Sequence, residues 1–300
     1  MKRRQFIQQT SAATTFLGLG GLSALSFAEP AKHITILHTN DVHSHIEPFG
    51  PNDPKNPNMG GVARRAILID KIRRENPYTL LLDAGDIFQG TPYFNFYGGE
   101  LEFKLMSKLR YDASTLGNHD FDNGIEGLYK QLPNADFDFL IANYDFSNTV
   151  MNGHTKPYKV YTKNGVRIGV FGLGIQLKGL VNDKLYKETK YLDPVEIATD
   201  ISNTLKTDEN CDLVICLSHL GYKYDGDKID DNKLAEQTEN IDLIIGGHTH
   251  TFLKEPTIKR NKVGNEIMIN QVGCYGLYLG RIDFYLDGTN NSAAGKAMNV

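Results

Sequence analysis

The chain has 300 residues, 36 acidic against 32 basic side chains, a formal charge of −4, three cysteines and no tryptophan. A mildly acidic balance argues against a partner bound through a nucleic-acid backbone, which requires a basic face. An odd cysteine count with no CxxC pair excludes a disulfide framework.

The first segment reads as an address. Met1-Lys2-Arg3-Arg4-Gln5-Phe6-Ile7 carries a twin arginine, a weakly apolar small-residue stretch runs from Ala12 to Phe27, and Ser26-Phe27-Ala28 offers a cleavage site. The pattern predicts a twin-arginine export signal over 1–28 and a periplasmic or cell-envelope location. An uncleaved anchor is the competing reading, but the stretch is shorter and more polar than the ~20 apolar residues of a span. Loss of Lys2, Arg3 and Arg4, with no acid, takes the charge from −4 to −7. About 270 residues then remain, enough for a large α/β domain assigned to 29–300. No later stretch reaches membrane length, so no span is expected after cleavage.

Apolar runs ending in polar motifs follow in chain order. Ile34–His38 leads to Asp41-Val42-His43, and Leu80–Leu82 leads to Gly85-Asp86. Between them lies the Pro48–Gly61 loop, expected to border a site. Helical spacing is read over Val62–Arg74 and Glu100–Arg110. Ala113–Leu116 leads to Gly117-Asn118-His119-Asp120, and Phe139–Ala142 leads to Asn143. Asn164-Gly165 predicts a hairpin joining Tyr158–Tyr161 to Val166–Leu173. Asp193 and Pro194 open a helix to Leu205. Leu213–Leu217 ends at His219, and Ile241–Ile245 ends at Gly247-His248-Thr249-His250. Strands over Ile267–Val272 and Leu279–Tyr285 close the series, and 288–300 is small and polar with no sign of another domain. Strands alternating with helices imply a layered α/β fold with its site beyond the strand C-termini. Cys216 is expected in the core, and a Cys211–Cys274 bridge is left open.

The strand-end side chains share one chemistry. Asp41 and His43, at i and i+2, can reach one ion from an extended segment. Asp86 has two oxygens and can bridge two cations spaced ~3.5–4 Å apart. Asn118 offers a neutral oxygen, while His219, His248 and His250 offer imidazoles, and Gly246-Gly247 permits a close approach of the histidines that follow. The set contains no thiolate, which favours two divalent ions drawn from Zn, Mn, Fe or Co. Two such ions against two carboxylates leave a positive site suited to an anionic phosphate. His43-Ser44-His45 also fits the HxH start of amidohydrolase sites, a reading that leaves Asp41 and the two later histidine motifs without a role.

Ile36–His43, Gly117–Gly124 and Gly246–Phe252, with Tyr278-Leu279-Gly280, closely resemble the calcineurin-like metallophosphoesterases. Within them, the chain is similar to the catalytic domain of the 5′-nucleotidase/UDP-sugar hydrolases from His33 to Asp287. The resemblance implies a four-layer αββα sandwich. It implies one metal on Asp41, His43, Asp86 and His250, and another on Asp86, Asn118, His219 and His248. A metal-bridging hydroxide would attack phosphorus, with His119, oriented by Asp122, stabilising the developing charge. Asp120 is left outside the catalytic set, Asn143 is read as a structural hydrogen-bonder, and His33, His38 and His45 as structural or loop histidines.

The expected substrate is a nucleoside 5′-monophosphate or related phosphomonoester. A UDP-sugar, a 2′,3′-cyclic nucleotide and a sulfur ester remain alternatives. The family's C-terminal nucleotidase domain has no counterpart here. A separate partner chain supplying it, a stand-alone broad phosphatase and a catalytically idle metal-binding module all stay open.

Overall fold

The computed structural model describes residues 31–288 and 291–300. The leader read over 1–28 lies outside the described residues. The strands in chain order are β1 (Lys32–Thr39), β2 (Thr79–Asp83), β3 (Ala113–Ser114), β4 (Asp138–Phe139), β5 (Tyr144–Asp145), β6 (Tyr158–Lys163), β7 (Val166–Leu173), β8 (Lys190–Tyr191), β9 (Leu213–Ser218), β10 (Leu243–Gly246), β11 (Thr257–Arg260), β12 (Glu266–Asn270), β13 (Tyr278–Leu286) and β14 (Ser292–Asn299). The α-helices are α1 (Val62–Glu75), α2 (Pro92–Tyr97), α3 (Glu100–Leu109), α4 (Gly124–Gln131), α5 (Asp183–Tyr186), α6 (Pro194–Thr207) and α7 (Asp231–Gln237).

One sheet has the order β14-β13-β1-β2-β3-β4 and the other β11-β12-β10-β9-β7-β6, with β5 and β8 forming a small ribbon. The period-2 alternation of strand side chains sorts the apolar residues into layers. Ile34, Ile36, Leu80 and Leu82 of the first sheet meet Val166, Ile168, Leu213, Ile215 and Leu243 of the second. The opposite face of the first sheet, with Leu37 and Leu81, packs on Ile69 and Ile72 of α1 and Phe103 of α3. The outer face of the second, with Phe171, Val214 and Cys216, packs on Ala198 and Leu205 of α6 and Leu234 of α7. The result is the layered α/β fold read from the strand and helix pattern, in the four-layer αββα form that the resemblance implies. Both faces of the inner strands are covered, so they read as unbroken apolar runs. Truncating a fully buried residue such as Leu81 to alanine would cost about 2–5 kcal/mol.

Local chemistry sets the element ends. Asp193 caps α6, its carboxylate accepting from the N–H groups of Val195 and Glu196 at 2.8 and 3.0 Å. Asn164-Gly165 makes the β6–β7 turn, both residues with positive φ. Parallel pairing of β1 with β2 sets Ile36 beside Leu80, and β9 with β10 sets Ile215 beside Leu243. The segments after β1, β2, β3, β9 and β10 therefore emerge at one end, from both sheets.

One expectation changes and one open question closes. The polar tail contains an edge strand, β14, paired antiparallel with β13 from Tyr278↔Asn299 to Tyr285↔Ser292. Main-chain pairing needs no apolar side chain, and Gly295 makes room for the ring of Pro256. The three cysteines are free, so Cys211 and Cys274 form no bridge. Cys211 and Cys216 are buried together against α6, whereas Cys274 belongs to the loop before Tyr275 at the strand ends.

Candidate metal centre

The first sheet supplies Asp41 and His43 after β1, Asp86 after β2, and Asn118, His119 and Asp122 after β3. The second supplies His219 after β9 and His248 and His250 after β10. Five of the candidate ligands and the neighbouring Ser44 take left-handed backbone without being glycine: Asp41, His43, Asp86, His248 and His250 with Ser44. Such conformations cost about 1–3 kcal/mol each and persist only where surrounding contacts impose them. Those contacts are visible. Asp41, His43 and Ser44 donate their N–H groups to the carbonyls of Gly85, Asp86 and Ile87 at 2.9, 3.0 and 2.9 Å. The His248 N–H donates to both Asp41 oxygens, at 2.9 and 3.1 Å. The site is thus stitched together by main-chain donors from both sheets.

Two glycines are required by close approach. A Cβ on Gly117 would fall against Asp86 Oδ1, and one on Gly247 would lie 2.7 Å from His219 Nδ1. Gly247 admits the His219 ring, while Gly246 admits the buried Asp231 carboxylate.

The ligand atoms gather in two groups. Asp41, His43 and His250 form one, and Asp86, His219 and His248 the other, each with donor atoms within 4.8 Å of one another. Asp86 stands between them: its Oδ2 is 3.1 Å from His219 Nε2 and 3.8 Å from His43 Nε2. Asn118 joins the second group, with Oδ1 2.7 Å from His248 Nδ1. All seven candidate ligands are therefore brought together.

Contacts behind the ligands orient the rings. His43 Nδ1 donates to Phe88 O at 3.2 Å and His219 Nδ1 to Ala84 O at 2.6 Å, which leaves each Nε2 facing inward. His43 Nε2 and His250 Nε2 stand only 3.0 Å apart. His219 Nε2 is buried with no hydrogen-bond partner of good geometry.

Electrostatics favours positive charge here. Burial opposes ionised Asp86, yet His219, His43 and His119 together outweigh it and hold the carboxyl well below its usual range. Burial likewise opposes a charged His219, but Asp86 and Asp41 together push it up to about 10. His248 is pushed down to about 4 by burial and by His219. A divalent cation in each group would supply the positive charge that protons on imidazole otherwise provide. Facing imidazole nitrogens, a shared carboxylate and an amide oxygen are a donor set that fits two such ions.

His119 and Asp122 sit beside the two groups. The His119 N–H donates to Asp86 Oδ1 at 2.8 Å, and its Nδ1 lies 2.8 Å from Asp122 Oδ2. The hydrogen bond to Asp122 raises the imidazole against the opposing effect of burial. The His119 side chain is 38 % exposed, so it can meet a substrate.

Residues set aside by sequence reasoning fall into two kinds. His33 binds Asp283, His38 is buried and binds Asn270, and Asn143 exchanges two hydrogen bonds with Gly174, all structural as expected. His45 stacks beside Phe49 of the Pro48–Gly61 loop and under Tyr275, whose ring also meets His43 and His250. That loop does border the site.

Asp120 proves to matter more than its sequence position suggests. It is fully buried, and its carboxylate accepts from the N–H groups of Asp86, Ile87, Phe88 and Gly117 at 2.8–3.2 Å. It holds the Asp86 turn. Burial and the Asp86 charge push it up to about 7 against the opposing effect of the Gly117 and Phe88 N–H groups and of His219. Two further holders escape sequence reasoning. Asn40 spans Asp41 Oδ2, Gly273 O and Val272 N, and Gln271 grips Gly247 O and the Thr249–Thr251 backbone and hydroxyl. Asn40 lies inside the first motif, which is its available signal. Gln271 follows an ordinary strand and carries none.

Comparison with known proteins decides the family. The calcineurin-like phosphoesterase family matches residues 34–252. The chain belongs to that family. It is 34 % identical over 290 residues to a snake venom 5′-nucleotidase of Crotalus adamanteus, covering 90 % of this chain and 48 % of that protein. It is 34 % identical over 310 residues to a human 5′-nucleotidase, covering 93 % and 50 %. Among solved structures, a 5′-nucleotidase precursor from Thermus thermophilus superposes with a TM-score of 0.80 at 32 % identity, covering 89 % and 55 %. The chain spans about half the length of the curated relatives it matches. No helix among the described residues is long and apolar enough to cross a membrane.

Proposed function

We propose that this chain is a divalent-metal-dependent phosphoester hydrolase acting on nucleoside 5′-monophosphates or related phosphomonoesters. The observation that carries it is the pair of ligand groups meeting at Asp86, with the His119–Asp122 pair beside them. The likeness to proteins named 5′-nucleotidase supports the substrate class.

Asp41, His43, Asp86 and His250 would hold one ion, and Asp86, Asn118, His219 and His248 the other. When bound, two divalent ions supply Lewis-acid charge for the phosphoryl group and an activated water. The chain does the rest. His43 and His219 keep their Nδ1 protons on backbone carbonyls and so present Nε2. Asp120 fixes the turn that aims Asp86. His119 keeps its Nδ1 proton on Asp122 and presents Nε2 to the phosphoryl oxygens, where a cationic donor stabilises charge gained in the transition state. The twin-arginine pattern of 1–28 supports export to the periplasm or cell envelope, with 29–300 as the catalytic domain.

The test is phosphate release by the purified chain from adenosine 5′-monophosphate, p-nitrophenyl phosphate, a UDP-sugar and a 2′,3′-cyclic nucleotide, each with Mn²⁺, Co²⁺ and Zn²⁺. Release from the monophosphates that stops on chelation and returns with metal is expected. Release unaffected by chelation, or only from the other two substrates, overturns the proposal.

A further inference from the structure

Beside the Val42–His45 turn lies a small cavity with about 20 Å³ open to the centre of a water molecule, room for one. Its wall includes Arg65 of α1, Glu102 of α3, Ser44 and Tyr111. Arg65 is 3 % exposed and Glu102 5 %. Arg65 Nε and Nη1 and Glu102 Oε2 have no hydrogen-bond partner within the protein. A buried guanidinium and a buried carboxylate, each short of partners, are both costly. One water accepting from Arg65 and donating to Glu102 would give each side chain a partner.

The two side chains also touch the candidate metal centre's supports. The other Glu102 oxygen accepts from the Ser44 hydroxyl. Ser44 follows His43, shares its left-handed backbone, and is held again by Thr91, whose hydroxyl donates to Ser44 O at 2.8 Å. On the other side, Gly276 leaves room for Arg65, since a Cβ there would fall on Nη1. The neighbouring Tyr275 N–H donates to Asp41 O at 2.7 Å. Arg65 therefore packs on the loop that steadies Asp41, and Glu102 grips the turn that carries His43.

We propose that Arg65 and Glu102, joined by a bound water, are positioning residues that hold Asp41 and His43 in place. The metal part of this inference rests on the two-ion reading above; the positioning part does not. The experiment is amide hydrogen exchange on the metal-free protein, with Mn²⁺ titration calorimetry alongside. In Arg65→Met, exchange at His43–His45 is expected to quicken at least about tenfold, with Asn118–Asp122 unchanged. One of the two Mn²⁺ ions should bind about 10–100-fold more weakly. Ser44→Ala should show the same pattern. Should Arg65→Met fail to fold, Glu102→Gln carries the measurement.

Exchange that quickens only within α1, or equally at 43–45 and 118–122, overturns the proposal, because a merely structural arginine would loosen the fold around itself. If the unaltered chain binds no Mn²⁺, the functional reading fails, while the exchange result still decides the positioning role.

Discussion

The Nδ1 atom of His119 lies 2.8 Å from the carboxylate of Asp122, three residues on, while the His119 main-chain N–H is bound to Asp86. One residue thus links the shared carboxylate to the outward-facing imidazole. Its ring is oriented from one side and its backbone from the other.

Removing the imidazole tests that link. His119→Ala should lower kcat for nucleotide hydrolysis by about 10²–10⁴-fold, the usual worth of a positioned donor. Asp122→Asn keeps the ring but weakens its orientation and should give a smaller loss, about tenfold or more. Both variants should retain two metal ions per chain, measured by elemental analysis.

Asp120 gives a separate prediction. Asp120→Asn turns an amide nitrogen toward backbone N–H donors, and each buried donor left without an acceptor costs about 1–3 kcal/mol. Chemical denaturation should show that loss, and phosphate release should fall with it because the Asp86 turn is no longer held.

Gly117→Ala places a methyl against Asp86 Oδ1. The expected result is a chain that folds with a loss of about 1–3 kcal/mol and has metal-dependent activity reduced at least about a hundredfold. Activity near that of the unaltered chain would show that the Gly117–Asp86 approach is not needed.

Asp83 predicts a pH dependence of stability. Its carboxylate is buried and accepts from Thr39, Ser114 and the Gly85 N–H. Burial raises it to about 6 from 3.8, against those hydrogen bonds. A carboxyl raised in the folded state contributes stability that is present below the unfolded value and lost as pH rises through the folded one. The loss across roughly pH 4–6 is at most about 3 kcal/mol. Asp83→Asn cannot titrate, so the stability difference between the two chains should shift in the variant's favour over that window. A difference that stays flat contradicts the assignment.

Much of the fold and site is legible because strands in a covered sheet are apolar throughout, which makes a polar residue at their end conspicuous. Asp41, Asp86, Asn118, His219 and His248 all stand out in that way, and the β6–β7 turn announces itself through Asn164-Gly165. The holders of the site do not. Asp120 works through N–H groups more than 30 residues away in sequence, at Asp86–Phe88, and only the fold brings them together. Gln271 and Arg65 act from an ordinary strand end and an ordinary helix. The edge strand Ser292–Asn299 is hidden because its pairing is made by the main chain, with alanine, glycine and serine in its sequence. Pairing of Cys211 with Cys274 cannot be judged until burial places one in the core and the other on the site loop.

The most direct test is the number of divalent ions bound per chain, before and after Asp86→Ala, read by elemental analysis with phosphate release from adenosine 5′-monophosphate. A shared carboxylate predicts two ions in the unaltered chain, weakened binding of both in the variant, and activity lost. Two ions still bound tightly in Asp86→Ala, with phosphate release intact, would contradict it.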